Sequence, residues 1–505
     1  MSFVFINIVL VIMCYALYRF RRRRVHELAE KIPTPPDATS VFGALKYSIL
    51  GRDIILPLIV EYSRYSLKTA CGMIRFMTDP HLYVGVTDRV DAEYILKNCL
   101  EKDNITNLFK EVIGDAGIYA PVSTWIHRRK MLIPAFGPKI IKSFVSIQAR
   151  QAQDLSEQLE IDGRVGSGEF SIWPYVSAYT LSSIAETALG IKLDALRDPN
   201  IPFLKAIQDV LCLMSSRILK FWLWPQFIYK YSNLHADIQR STTLLYSLPD
   251  KIIKEKRETL HSNDTKLIKE KQIIFGQGED TKSFLEHLII LSKEDNRLSD
   301  KELREEILVM MLAGTDSSAV AIGYTLVLLA KYPEIQEKLY NEIKNNFGNS
   351  DRPMQSEDLL VLQYLNRVVK ESIRLFPPVP VIIRKAGDEE AHLPSGIILP
   401  RETSIVISFW GMNRDPKHWG PTADYFDPDR FSDDQLVNYA SFSLGPRNCI
   451  GYKYALQSVK IAVASIIRHY KVVGEPEKGP VPTIDSTFSI MMRAKDDFKV
   501  ALEKR

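Results

Sequence analysis

The chain has 505 residues, 46% of them hydrophobic, enough for a large core, and a net charge of +4 that is too mild to imply a nucleic-acid partner. Its five cysteines (Cys14, Cys71, Cys99, Cys212 and Cys449) are scattered, odd in number and never paired as C-x-x-C, which speaks against a disulfide framework or structural zinc and fits a reducing compartment. None of the nine histidines has H-E-x-x-H spacing or a close partner, so a histidine metal centre is not indicated.

Residues 2–18 are almost continuously apolar, broken by Asn7, and short against the about 20 residues a membrane helix needs. Arg19 and the run Arg21 to Arg24 follow at once. A cleaved signal peptide carries its charge before the apolar run. Here the charge comes after it, which favours a retained anchor (residues 1–18) with the bulk of the chain cytosolic. A soluble amphipathic N-terminus is the plainer alternative. Residues 19–36 read as an Arg-rich and Pro-rich linker, in which Pro33-Thr34-Pro35-Pro36 forms a stiff spacer. Length alone suggests about three domains. No internal linker supports a split, so residues 37–505 are taken as one large domain. The sequons at Asn104 and Asn263 are usable only in a lumen and are expected to stay unmodified.

Residues 37–100 mix turns with short strand-like runs, such as 82–86. From about residue 125 to 347 the pattern is helical. Trp125-Ile126-His127-Arg128-Arg129-Lys130 opens one helix and, read alone, is an aromatic beside a surface basic run. The polar, lysine-rich stretch 261–282 reads as a surface loop. Ser299 and Glu302 have capping-box spacing, and Pro333 stops the helix they start at about Tyr332, giving a rod of about 50 Å. Its middle reads Ala313-Gly314-Thr315-Asp316-Ser317-Ser318. Glycine there costs up to about 1 kcal/mol against alanine. An acid and hydroxyls on an otherwise apolar helix are also costly without a task. Serine hydroxyls bonding back to the backbone can bend such a helix. A site free of side-chain bulk could hold a diatomic ligand, with Asp316 and Ser317 passing protons to it. A kink facing solvent is the plainer alternative, and the apolar flanks disfavour it.

Glu371 and Arg374 stand at i and i+3, one helical face, just before Pro377-Pro378. Taken alone they read as a solvated surface pair worth little. Residues 394–408 read as a turn and a strand, since Ile405, Ile407 and Phe409 alternate. The segment Phe442-Ser443-Leu444-Gly445-Pro446-Arg447-Asn448-Cys449-Ile450-Gly451 then leads into an apolar helix at 454–467. A thiolate at Cys449 could bind one face of an iron ion. Gly445 allows a turn where a side chain would collide, and Gly451 lets backbone approach a flat ligand. Arg447 could meet a carboxylate through two hydrogen bonds. A lone cysteine here also fits a small buried hydrophobe, or a nucleophile needing a distant histidine. The expected fold is mainly α with a smaller β part.

The decapeptide matches F-x-x-G-x-R-x-C-x-G, and the chain resembles the cytochrome P450 family over about residues 33–500. Three further motifs, in the family's order, carry the likeness: Ala313 to Ser317 against [AG]-G-x-[DE]-T, Glu371 to Arg374 with the following P-P-V-P, and Phe426 to Phe431 around Arg430. Residues 181–190 and Arg414-Asp415-Pro416 look most like the animal microsomal clan that holds the fatty-acid ω-hydroxylases and many insect members.

This resemblance implies the cytochrome P450 fold, with a single haem-binding domain behind the anchor. It implies haem b ligated by Cys449, with Phe442 and Gly451 in the haem loop. Trp125, Arg129, Arg384 and Arg447 would hold the propionates, since buried carboxylates without cations are prohibitively costly. Glu371, Arg374 and Arg430 would form an internal network steadying the loop. Asp316 and Ser317 would deliver protons. Ser317 stands where the family usually has threonine, so the missing methyl puts coupling in doubt. Ala313 replaces the glutamate that esterifies haem in several ω-hydroxylases, so no covalent link is expected there.

The implied activity is monooxygenation of a lipophilic substrate, with NADPH electrons arriving through a flavoprotein reductase, and with cytochrome b5 as a further donor, at the endoplasmic reticulum membrane. Arg128, Lys130, Lys139, Lys142 and Lys453 suggest a basic face for the reductase, or plain solubility. The pocket walls are expected at 109–118, 309–313, 379–383 and Phe488. The rivals are a haem-thiolate isomerase or dehydratase, and a non-catalytic haem binder. The Asp316-Ser317 pair argues against the first.

Overall fold

The structure is a computed structural model that describes residues 2–36, 52–77, 81–198, 201–262, 283–295, 298–432 and 439–505. The chain opens with helix α1 (Ser2–Arg21), which continues three residues past the expected apolar run because arginine is itself a good helix former. Helix α2 (Arg23–Ala29) follows. The expected spacer is docked. Leu28, Ala29 and Ile32 are buried, the last two in the core of the small β region, and the Pro33 carbonyl accepts the Arg75 N–H at 2.9 Å. Burial of this apolar surface outweighs the freedom of a proline-rich tether.

Helix α3 (Ile55–Lys68) leads into strands β1 (Met73–Met77) and β2 (Tyr83–Val86). The helical part runs through α4 (Val122–Leu132), α5 (Trp173–Ile184), α6 (Pro202–Leu219) and α7 (Asn233–Ser262). Most of the expected surface loop at 261–282 lies outside the described residues. Helix α8 (Asp300–Lys331) carries the capping box: the Ser299 hydroxyl accepts from Glu302 N–H, and the Glu302 carboxylate accepts Ser299 N–H at 2.8 Å. It is apolar and long enough to cross a membrane, yet it is mostly buried within the protein. Its even apolar surface suits a helix wrapped by others on every side.

Helix α9 (Gln363–Leu375) precedes β3 (Val381–Lys385) and β4 (Ser404–Ser408). The four strands form one sheet in the order β1-β2-β4-β3, with β2 and β4 parallel and the other pairs antiparallel. Helix α10 (Tyr452–His469) follows the cysteine loop, and a hairpin of β5 (Ser486–Ser489) and β6 (Met491–Ala494) lies near the end. One apolar core joins the helices and a second, smaller one fills the sheet region. This is the mainly α architecture, with a smaller β part, that the sequence implies.

Candidate functional site

The cysteine loop is closed by its own backbone. The Phe442 carbonyl accepts Cys449 N–H at 2.9 Å and the Gly445 carbonyl accepts Asn448 N–H at 3.1 Å. Gly445 has φ +71°, and a Cβ there would lie 2.5 Å from the Leu96 carbonyl oxygen, so the glycine is required. Gly451 caps α10 at φ −89°, and a Cβ on it would meet only Phe136 at 3.7 Å. The protein's own packing therefore does not demand a glycine at 451. A flat ligand lying on the loop would. Phe442 is half-buried, with its ring centroid 6.1 Å from that of Tyr439 and 6.2 Å from that of Tyr452.

Cys449 has exposed surface, yet protein crowds it enough that burial pushes its thiol up; the Gly451 N–H and the Arg129 charge pull the other way. An exposed group in dense surroundings faces a recess of the protein, not open water. Arg129 lies beside it, donating to the Asn448 carbonyl at 2.7 Å and to Asn448 Oδ1 at 2.6 Å. Both its terminal nitrogens are thus placed on the cysteine loop, close enough to Arg447 for its charge to be felt there.

The other cations of the expected clamp do converge. The Arg447 guanidinium stacks 4.5 Å over the Trp125 ring and donates to the Ala120 carbonyl at 2.8 Å. Its Nε and Nη1 are buried with no acceptor. Arg384 is 1% exposed and, among the described residues, its side chain donates only to its neighbour Ile383 at 3.2 Å and has a buried Nε without an acceptor. Burial, the larger cause, lowers each to about 10, and the Arg447 charge adds to the shift of Arg384. Lys102, which the motifs did not single out, is half-buried and held well below its ordinary value by burial and then by Arg384 and Arg447. Buried donors without acceptors are costly, and several cations together more so. A dianionic, planar group satisfies both conditions, and the haem implied by the sequence fits: Cys449 for its metal, Arg384, Arg447 and Trp125 for its carboxylates. Among the described residues no cluster of three or more metal-ligating side chains competes for a metal.

The middle of α8 carries the other residues that the resemblance singled out. Val309, Ala313 and Ser317 stay partly exposed, one per turn, with Met310 and Gly314 beside them, on a helix buried over most of its length. The Ser317 hydroxyl donates back to the Ala313 carbonyl at 2.5 Å. Asp316 is 8% exposed, and burial pushes its carboxyl up to about 6, with Arg493 opposing. Gly314 also serves packing. A Cβ there would lie 3.0 Å from Ile184 Cδ1, so the glycine lets α5 pack closely. Thr315 and Ser318 carry buried hydroxyls without partners, a signal of polar atoms on an apolar helix that the motif masked.

Glu371 and Arg374 are fully buried, not a surface pair, and meet through two contacts of 2.6 and 2.7 Å. Arg374 also donates to the carbonyls of Asn413 and Ala423, each at 2.6 Å. Arg430 reaches Glu371 at 3.4 Å, and Asp427 N–H donates to the same carboxylate at 3.0 Å. Asn413 extends the network, donating to the Arg374 carbonyl and to Ser441 Oγ, each at 2.9 Å. Ser441 begins the cysteine loop, so the network is bonded to it.

Arg128 departs from expectation. It is buried and meets Glu302 and Glu306 at 3.1 Å each, and Glu305 at 3.7 Å, so it does not belong to the basic face. Three opposing carboxylates on α8 outweighed the surface reading of the Arg128-Arg129-Lys130 run. Lys130, Lys139, Lys142 and Lys453 are exposed, and Lys142 pairs with Glu357 at 3.0 Å.

Residues 72–500 match the family model described as cytochrome P450. The chain is 32% identical over 462 residues to cytochrome P450 4d2 of Drosophila melanogaster, covering 88% of this chain and 89% of that protein. It is 30% identical to cytochrome P450 4c21 of Blattella germanica, covering 92% of each. It is also 30% identical to cytochrome P450 4V2 of Homo sapiens, covering 87% of this chain and 84% of that protein.

Proposed function

The chain belongs to the cytochrome P450 family, haem-thiolate monooxygenases that insert one oxygen atom of O2 into a lipophilic substrate with NADPH electrons from a redox partner, and from that premise we propose how its own residues divide the work. The bound haem b supplies the oxygen-activating iron chemistry. Cys449 would hold its iron as a thiolate and lend it electron density. The Gly451 N–H and the Arg129 charge offset the cost of holding a thiolate in a crowded recess. Trp125, Arg384 and Arg447 hold the carboxylates, while Arg129 reaches them only through the loop it binds. Phe442 and Gly451 shape the loop face.

Asp316 is the proton source. A carboxyl near pH 6 exchanges protons readily around neutrality. Ser317, anchored on the Ala313 carbonyl, holds a hydroxyl at the recess wall. Val309, Ala313, Val379, Ile382, Ile383 and Phe488 are apolar and partly exposed, and they exclude water around a lipophilic substrate. Glu371, Arg374 and Arg430 keep the loop in place through Asn413 and Ser441.

Residues 1–18 anchor residues 37–505 to the endoplasmic reticulum membrane, on its cytosolic side, with α2 docked on the globule. In support, α1 exposes Phe5, Ile12 and Met13 ahead of its arginines. A second apolar surface, with Trp222, Phe227 and Tyr231 exposed, suits the same membrane. Lys130, Lys139 and Lys453 suit docking of an acidic flavoprotein reductase or cytochrome b5.

The observation that carries this reading is Cys449 on a self-closed loop beside buried guanidinium donors without acceptors. Its test is the spectrum of the reduced, carbon-monoxide-bound protein. The wild-type chain is expected to show the thiolate-ligated Soret band, and Cys449→Ser to lose it; a band that persists in the serine variant rejects Cys449 as ligand.

A further inference from the structure

A groove of about 270 Å³ opens between α3, the segment 410–424 and residues 481–492. Among the described residues, none assigned to the haem recess lines it. Leu56, Phe376, Trp410 and Met492 are buried along its floor, and Pro57 and Val481 are exposed at its mouth. Its inner polar groups have little left to offer water. Arg414 donates to the Leu375 carbonyl at 2.6 Å and pairs with Asp424 at 3.1 Å. Ser486 accepts the Tyr324 hydroxyl at 2.8 Å and donates to the Ile484 carbonyl at 3.1 Å. A cavity with apolar walls gives water too few hydrogen bonds and favours an apolar occupant.

Arg64 is the exception. It is exposed at the rim, on α3, with its guanidinium 5.6 Å from the Trp410 ring centroid, and Arg414 stacks on the same ring at 4.1 Å. Among the described residues no carboxylate pairs with Arg64, since Asp424 is taken by Arg414 and Asp485 by Lys495 at 3.0 Å. Burial lowers Arg414 to about 9, the charges of Arg374 and Arg64 add to that shift, and Asp424 opposes it. The rim thus keeps a positive charge that the protein does not cancel. Tyr65, next to Arg64, donates to the Thr34 carbonyl at 3.3 Å, so the groove opens beside the segment that follows the proposed anchor.

We propose that this groove is a lipid site separate from the haem recess, and that it takes one single-chain amphiphile with an anionic head. The head meets Arg64 through charge-assisted hydrogen bonds, and the chain lies over Trp410 and Phe376. The volume is below that of drug-sized sites, which suits part of one chain and excludes the body of a two-chain phospholipid. The site does not depend on the haem reading, because no residue of that recess takes part.

The test uses the full-length protein in zwitterionic bilayer discs with a photoreactive long-chain carboxylate, and mass spectrometry locates the labelled peptides. Label is expected on residues 55–68 and 481–492. The unlabelled carboxylate should displace it, and the methyl ester, which offers Arg64 no charge, should do so at least about tenfold less well. Arg64→Gln should weaken labelling there about tenfold, because a charge-assisted hydrogen bond is lost. Val60→Trp, which fills the groove from α3, should abolish it. If that variant does not fold, Arg64→Gln decides alone, since its side chain is exposed. Label confined to other segments, label in Arg64→Gln within about twofold of wild type, or equal displacement by the ester overturns the proposal. Label that appears only after detergent replaces the bilayer means that a phospholipid chain fills the groove, and it rejects the single-chain occupant as well.

Discussion

Asp316 bears a cost that its position explains. Burial raises its carboxyl from 3.8 to about 6, so the folded chain holds a proton that the unfolded chain gives up. Stability from this group is therefore full below about pH 4 and falls as pH rises toward 6 and beyond, by on the order of 3 kcal/mol. Asp316→Asn removes the titration. The melting temperature of the variant relative to wild type should climb between pH 4 and pH 7, and product formation should fall as the proton source is lost. A flat difference across that range would show that the carboxyl is solvated. Gly445 makes a different point, for there the backbone itself forbids a side chain. It has φ +71°, and the atom a Cβ would strike is a main-chain carbonyl that cannot swing away. Gly445→Ala should reduce haem retention even where the globule still folds.

Helix α8 needs its glycines for contact more than for bending. At Gly323 a Cβ would lie 2.7 Å from Phe498 Cγ, against a ring whose residue sits at φ +58° and whose neighbours are packed. At Gly314 the nearest atom is the far end of Ile184 at 3.0 Å, which can rotate. Alanine improves helix propensity at both sites by up to about 1 kcal/mol. Overpacking at 323 should exceed that gain, with a net loss of about 1–2 kcal/mol. Gly314→Ala should be close to neutral. Urea unfolding of the two variants separates the cases, and equal effects would mean that the contact with Phe498 is soft. The hydroxyl of Ser317 turned back onto Ala313 is the one bending element the sequence suggested at this point and the structure retains.

Across the whole molecule, the Glu371, Arg374 and Arg430 network ties α9 to the segment at 413–430 and, through Asn413 and Ser441, to the cysteine loop. Removing one partner strands a buried charge, at a cost of about 3–5 kcal/mol. Glu371→Ala should therefore lose haem and stability together, seen as a missing Soret band and a lowered unfolding midpoint. Normal haem content in that variant would confine the network to a packing role.

Local patterns announced the capping box at Ser299, the strand ending at Ser408 and the cysteine loop, because each depends on residues a few positions apart. They also supplied the proposed metal ligand, since its loop pattern sets a glycine, an arginine and a cysteine at fixed spacing. The sequence could not tell a solvated face from a buried charge. Glu371 and Arg374 look like a surface pair until a second arginine and three carbonyls close around them, and Arg128 looks like a docking charge until two helical turns of α8 meet it. The commitment of Arg129 to Asn448 likewise follows from packing between distant segments. Spacing along the chain determined which chemistry is possible here; only tertiary contact decided which charges are desolvated, because burial is a property of what lies opposite, not of what lies next in sequence.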